Sequence, residues 1–371
     1  MRVNSLKLVN YRNYQELELA FQPALNIFIG CNAQGKTNIL EAVYYAASGS
    51  SFRGNSDGEL IKWNADGGSI SLGFSRLEVA NQLDFAFRRD KRRTIVYNGQ
   101  KIPLRELIGA FNVVLFAPDD LLLIKGAPAG RRKFLDMEIS QASPAYYREL
   151  ITYNRLLQQR NSLLKEIREG KSKAGMLEFW NPQLAASAAK ITAKRLEAVQ
   201  KFNMLANLMQ RRISGNEENL SLSYQIKGME NGQLAENMEI WYNEMLHGLN
   251  NEEIYRGVTC VGPHRDDIIV SVNGINLKSF GSQGQQRTAV LSMKLSELEF
   301  IRSETGEYPV LLLDDVMSEL DAGRRQQLLN FIEREGIQTL ITATDEAYFQ
   351  QAPLKTYFQV EAGQVKVVNK V

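Results

Sequence analysis

Cysteine, histidine and tryptophan are scarce: the 371 residues hold two cysteines, Cys31 and Cys260, two histidines and three tryptophans. Two cysteines cannot build a disulfide framework, and their rarity fits a reducing compartment. Long apolar runs are missing as well. No stretch approaches the roughly 18 to 20 consecutive apolar residues of a membrane-spanning helix, and the N-terminus MRVNSLKLVNYRNYQ lacks the apolar core of a signal peptide. A cytoplasmic protein with no membrane partner is therefore expected. Nor does charge of one sign dominate, since 44 Lys and Arg stand against 42 Asp and Glu for a formal net charge of +2. That balance neither requires nor excludes a polyanionic partner, because clustering rather than the sum decides such binding. What is present, 44% hydrophobic and 23% charged residues, supplies cores for two or three packed units.

The first hundred residues read as short strands. Leu6 and Leu8, then Leu17, Leu19 and Phe21, alternate with polar residues, and ALNIFIG is a compact apolar run closed by glycine. Thr37 to Ala47 has helical spacing. The segments SISLGF, LDFAF and RTIVYNGQKI add strands, the last turning at Asn98-Gly99, so a mixed sheet is expected. From about Pro144 the period changes. Leu150, Leu157 and Leu164 fall seven apart, and Leu184, Ala188, Ile191, Ala198, Phe202, Leu205 and Met209 follow helical spacing beyond the polar REGKSKAG. These segments predict an antiparallel helical hairpin. Strand signals return after Leu220, with a second Asn-Gly turn in IIVSVNGINL. A helix from Ser282, the run PVLLLDD, a helix from Ala322 and the strand QTLITAT then alternate as in a parallel α/β layer.

The chemistry lies in three short motifs. GCNAQGKT, Gly30 to Thr37, matches the phosphate-loop pattern, follows an apolar strand and opens a helix, as that pattern requires. The backbone of Gly30, Asn32, Ala33, Gln34 and Gly35 can surround a phosphate, the helix N-terminus adds partial positive charge, and Asn38 lies in its first turn. Lys36 can reach the β- and γ-phosphates, and the Thr37 hydroxyl can bind Mg²⁺. Such a loop needs a carboxylate on a neighbouring parallel strand, and Asp314 at the end of VLLLDD supplies it. Asp315 is then placed as a base or water-orienting group, and Asp321 can cap the next helix. The third motif, FGSQGQQRT from Phe280 to Thr288, opens a helix with almost nothing to bury. A hydroxyl and free helix N–H groups at such a start form a second phosphate receptor.

With Ser282, Gly284 and Gln285 placed so, this motif resembles the signature of ATP-binding-cassette ATPases. The resemblance implies ATP and Mg²⁺ as cofactors and a homodimer in which each signature caps the γ-phosphate held by the other subunit. Thr37 and Ser282 are separated by more than 240 residues, more than a transporter cassette has between them. The inserted helical hairpin resembles a shortened arm of the SMC-like chromosome and repair ATPases. LVNYRNYQELEL resembles that group's opening, Asp315 stands where transporter cassettes carry glutamate, and ITAT stands where they carry a switch histidine. Arg12 in NYRNY matches a position that can touch nucleotide in related heads. The implied fold class is α/β, an ATPase head of mixed sheets and a phosphate-loop parallel layer, with residues 141–250 as the inserted arm between head segments 1–140 and 251–371.

Six blocks, NYRNY, GCNAQGKTNILEA, LFAPDDLLLIKGAPAGRRKFLD, TCVGPHRDD, SQGQQRT and LLLDDVMSELD, resemble in order those of a bacterial recombination-mediator family within this group, over essentially the whole chain. Cys31 departs from the charged or small residue expected there, a change the backbone-built loop tolerates. The resemblance implies a weak, DNA-stimulated ATPase that dimerises with ATP. It implies binding to duplex DNA and gap junctions, and cooperation with RecO and RecR in loading the RecA recombinase. The alternative is an ATPase of the same superfamily without a DNA role, in which the hairpin contacts a membrane partner or a ribosome.

Two basic runs, Arg88, Arg89, Arg92 and Arg93 in RRDKRR and Arg131 and Arg132 in GRRKF, admit two readings: solvated element ends or contacts to DNA phosphates. Neither interleaves aromatics, which favours duplex read through its backbone over single strands. His264, Asp266 and Asp267 in GPHRDD lack metal-ligand spacing and suit a loop bracing the signature helix.

Overall fold

The computed structural model describes residues 1–54, 56–230, 235–349 and 355–368. They form two compact units, one of Met1–Asp120 with Lys294–Val371 and one of Leu121–Met293. The helical segment expected at 141–250 lies inside the second unit, which extends past it on both sides because a further helix and a small sheet join the hairpin.

In the first unit the N-terminal strands, expected in one mixed sheet, divide between two. Tyr14–Ala20, Arg2–Tyr11, Gly67–Arg76, Val79–Arg88, Lys91–Tyr97 and Gln100–Lys101 form, in that spatial order, a six-stranded sheet. Every one of its pairings is antiparallel. Its register sets the apolar residues in rows. Leu17, Leu8, Ile70, Phe85 and Ile95 stand side by side across five strands, all buried. The alternation read in the sequence is the signature of this half-covered sheet. Tyr45, from the helix Lys36–Ser48, packs edge-on against Phe85 and Phe87, so the sheet supports the phosphate-loop helix.

The second sheet runs Gln364–Val368, Lys355–Glu361, Leu25–Ile29, Thr339–Ala343, Val310–Asp314 and Val113–Phe116. Only its first pair is antiparallel. Leu25–Ile29, Val310–Asp314 and Thr339–Ala343 are buried at every position, as strands covered on both faces are. The parallel layer expected for the C-terminal third thus also takes in a strand from each of two N-terminal segments. This arrangement places the ends of Leu25–Ile29 and Val310–Asp314 on either side of Thr339–Ala343, and the nucleotide motifs leave from those ends.

In the second unit, Pro144–Arg168 and Leu177–Ile213 form the expected hairpin. Contacts descend along one helix as they ascend the other, which makes the pair antiparallel: Glu149 meets Ser187 and Lys190, Arg160 meets Asn181, and Leu164 packs with Leu177. The helix Pro128–Ala142 and a three-stranded sheet of Ile275–Asn276, Asp267–Val272 and Leu220–Gln225 complete it. Asn273 and Gly274, with φ of 50° and 81°, make the second predicted Asn-Gly turn. Among the described residues no helix is long and apolar enough to cross a membrane.

Candidate nucleotide site

The phosphate loop leaves the buried strand Leu25–Ile29 and enters the helix Lys36–Ser48 at Gly35. Two glycines are required by space. A Cβ on Gly30 would stand 2.3 Å from the Val360 carbonyl oxygen, and one on Gly35, whose φ is 113°, 2.7 Å from the Tyr14 hydroxyl. Lys36 is buried, and its ammonium donates to the carbonyls of Gly30 at 2.6 Å and Cys31 at 2.8 Å. Burial lowers its pKa, while Asp315, Cys31 and Asp314 draw it upward. The cation is thereby aimed at the interior of the loop and bound only by neutral acceptors, a poise suited to an incoming phosphate.

Asp314 ends the next but one strand, and its Oδ1 accepts from Thr37 Oγ1 and from Thr342 Oγ1, each at 2.8 Å. One hydroxyl and one carboxylate form a sparse donor set. Such a set fits Mg²⁺, which takes remaining ligands from phosphate and water; no self-sufficient cluster of three His, Cys, Asp or Glu ligands occurs among the described residues. Asp315 follows with φ 55°, in the left-handed region, fixed by its N–H donating to Thr342 Oγ1 at 2.9 Å and its carbonyl accepting from Ser318 Oγ at 2.8 Å. Burial raises the Asp315 pKa and the Asp314 charge adds to this, with Lys36 opposing. Asp321 caps the helix Ala322–Glu335 by accepting from the Arg324 N–H.

Residues outside the motif brace the loop. Asn13 donates to the Gln34 carbonyl and accepts from Asn38, while Tyr14 donates to the Gly35 carbonyl. Gln34 accepts through its side chain from Ala362 N–H and through its carbonyl from Gly363 N–H. Arg12, expected at the nucleotide, is clamped on Glu41, with Nη2 to Oε1 at 2.6 Å and Nε to Oε2 at 2.8 Å, and donates to the Glu59 carbonyl. Glu41 is fully buried on the phosphate-loop helix and accepts also from Tyr11 and Ser51. Arg12 thus joins the loop of NYRNY to that helix.

At the signature, Ser282 precedes the helix Gln283–Thr305 and forms a reciprocal cap. The Gln285 N–H donates to Ser282 Oγ and the Ser282 N–H to Gln285 Oε1, both at 3.2 Å. Ser282 and Gly284 are exposed, so this helix start faces solvent. Three turns on, Ser292 donates to buried Gln210 at 2.7 Å, which fastens the signature helix to the long arm helix.

The basic runs separate. Arg131 is buried, bidentate to Asp267 at 2.7 and 2.9 Å, and donates to three further carbonyls; it is a core strut, and the DNA role expected for it is withdrawn. Arg132 is half-buried and donates to the Asp266 carbonyl. Arg93 pairs with Asp57 at 2.9 Å. Arg88, Arg89 and Arg92 are exposed. The GPHRDD loop binds the arm rather than the signature helix: His264 Nδ1 accepts from Tyr153, and Asp266 accepts from Tyr224 and the Lys227 N–H.

His264 supplies a pH test. Burial, with Arg265, Arg132 and Arg195 nearby, holds its pKa down at about 4, against 6.5 unfolded. Neutral histidine donates from Nε2 to the Thr259 carbonyl. Because the folded pKa is the lower one, stability is complete above pH 6.5 and declines as pH falls toward 4, by up to about 3 kcal/mol. Urea midpoints measured from pH 7 to pH 4 should fall more steeply for the natural chain than for His264→Gln; equal slopes would assign the loss to other groups.

Phosphate loop, strand carboxylates and capped signature helix together define an ATP-binding head of the ATP-binding-cassette class. The family model of the RecF/RecN/SMC N terminal domain matches residues 2–368. The DNA replication and repair protein RecF of Halothermothrix orenii is 45% identical over 93% of this chain and 92% of its own length. That of Listeria monocytogenes serotype 4b is 42% identical over 99% and 100%. A solved structure of the recombination mediator protein RecF with ATP, from the RecFOR pathway, superposes with a TM-score of 0.92 at 34% identity over 99% and 98% of the two chains. An Smc head bound to the C-winged helix domain of ScpA shares the fold, with a TM-score of 0.58 at 15% identity over 99% and 98%. The chain belongs to the RecF family of DNA replication and repair proteins.

Proposed function

We propose that the chain is an ATP-gated DNA clamp acting in the cytoplasm, at single-strand gaps and stalled forks. One observation carries this reading. The chain builds the phosphate loop and its acids as one set and leaves Ser282 and Gly284 exposed at a helix start, where Ser282 and Gln285 cap each other. A second copy can complete both. ATP, with Mg²⁺ on Thr37 and Asp314, rests on Gly30–Thr37 and Asn38, and the partner's signature, through Ser282, Gly284 and Gln285, closes over the γ-phosphate. ATP then favours the dimer because it binds that state more tightly, which is what a ligand must do to shift an equilibrium. Hydrolysis removes the bridging phosphate and loosens the pair, giving a slow ATPase that DNA stimulates. The RecFOR context of the related ATP-bound structure supports RecO and RecR as partners in loading RecA. The family supports the DNA role over the transporter alternative.

Light scattering with ADP, with ATP, and with ATP plus gapped duplex tests this. Mass should double only with ATP, retain DNA in the doubled species, and fail to double in Ser282→Arg. A mass indifferent to ATP would remove the composite site.

A further inference from the structure

The basic run Arg88–Arg93 contains no aromatic residue, but the fold supplies one. Trp63 is 88% exposed, more than any other large hydrophobic side chain among the described residues. It stands in the short loop before the strand Gly67–Arg76, and that loop is firmly built. Arg89, at the end of the run, donates to the carbonyls of Ala65 at 3.0 Å and Lys62 at 3.3 Å, on either side of Trp63. The Arg89 N–H reaches the Asp66 carbonyl at 3.4 Å, the Ala65 N–H reaches the Lys62 carbonyl at 3.1 Å, and Asn64 turns the chain with φ 65°. An indole held in water by this many backbone bonds is a flat apolar surface awaiting a flat partner. Around it, the two stretches 62–66 and 88–93 carry six cations against the acids Asp66 and Asp90, and among the described residues Arg93 alone of the six forms an ion pair, with Asp57. Arg88, Lys91 and Arg92 are exposed. A planar apolar face beside unbalanced positive charge is the chemistry of an unpaired nucleotide, whose base stacks and whose phosphate pairs with cations.

We infer that Trp63 is a stacking platform for unpaired DNA bases, with Arg88, Lys91 and Arg92 holding the adjoining phosphates, so that this surface distinguishes the single-stranded part of a gap from the paired part. The inference rests on the DNA-binding reading above and changes its expected substrate, since the sequence alone favoured duplex contacts. The platform is also wired to the nucleotide site. The Lys62 N–H donates to the Asn10 carbonyl at 2.8 Å, the Arg12 N–H to the Leu60 carbonyl at 2.7 Å, and Lys62 Nζ to the Asn13 carbonyl at 3.4 Å. Asn13 is the residue that braces Gln34 of the phosphate loop.

The test uses the full chain with ATP and three fluorescent probes: a gapped duplex, a fully paired duplex and an oligo-dT strand. Trp63→Ala should weaken binding to the gapped and single-stranded probes about tenfold, the worth of one base–aromatic stack, and leave the paired duplex unchanged. Trp63→Phe should restore most of the loss. Single strand should quench the natural chain's tryptophan emission and leave that of Trp63→Phe, whose remaining indoles are Trp180 and Trp241, unaltered. Equal weakening on all three probes, or none on any, overturns the platform while the DNA reading stands. Failure of the natural chain to bind any probe overturns the DNA reading and the platform with it.

Discussion

Lys36→Ala is expected to lose ATP affinity by about two to three orders of magnitude, and ATP-dependent doubling of mass with it. The loss follows from the bonds removed. Charge-assisted hydrogen bonds contribute about 1.5–3 kcal/mol each, so two of them to phosphate amount to roughly 3–6 kcal/mol, and the lower part of that range, about a hundredfold to a thousandfold, is the net loss once the desolvation cost of the ammonium is subtracted. The fold should survive, because the ammonium bonds only the carbonyls of Gly30 and Cys31, which belong to the loop itself. Burial already disfavours the charged form, so an alanine also removes a desolvation cost. Equilibrium binding of a fluorescent ATP analogue, with a thermal melt as the control for folding, separates the two effects. Lys36→Arg should not rescue, since a Cβ-to-head distance longer than that of lysine must fit a loop already closed by Val360 and Tyr14 around Gly30 and Gly35. Affinity within about threefold of the natural chain, against the roughly hundredfold loss anticipated, would show that the backbone cradle alone holds the phosphates.

The parts of this site written in contiguous residues were legible before the fold was known. Gly30–Thr37, Asp314 and Asp315 declare themselves because strand, turn and helix follow one another within a few positions, and the two Asn-Gly turns likewise carry their own φ preference. What escaped is what the topology assembles. Thr342 joins Asp314 only because Thr339–Ala343 lies between the two motif-bearing strands, and nothing in ITAT marks its hydroxyl as the group that positions both Asp314 and Asp315. Glu41 reads as an ordinary helix residue, yet it is the fully buried acceptor that holds Arg12 against the phosphate-loop helix. Arg131 and Arg88 are alike in sequence, and only burial against Asp267 tells a strut from a surface cation. One hairpin was invisible for a different reason. Leu77 and Glu78 both adopt positive φ, at 47° and 63°, without glycine or asparagine, and the turn is held from outside by the Leu77 N–H on Glu307. Local propensity loses there to a tertiary bond.

Asp315→Asn is expected to leave ATP binding and the ATP-dependent dimer intact while slowing turnover by about two to four orders of magnitude, the range a positioned base contributes. Three features argue for this separation. The side chain of Asp314, not Asp315, accepts from Thr37, so the pair proposed to hold Mg²⁺ is untouched by the change. The φ of 55° costs a non-glycine residue of order 1–3 kcal/mol, but asparagine tolerates that region as aspartate does, and both backbone anchors, to Thr342 and Ser318, are independent of the side chain. Finally, burial and the neighbouring Asp314 raise the Asp315 pKa, which makes its carboxylate a stronger base than an exposed one, and asparagine cannot accept a proton at all. The raised pKa predicts its own signature: the acid limb of the turnover profile should fall above the 3.8 of an ordinary aspartate, because the carboxylate is lost as pH drops through that higher value. Single-turnover hydrolysis measured beside light scattering decides the case. A variant that dimerises with ATP, retains DNA and hydrolyses slowly assigns Asp315 to the attacking water. One that hydrolyses at the natural rate returns that role to another group, and one that no longer dimerises makes Asp315 part of the nucleotide's seat.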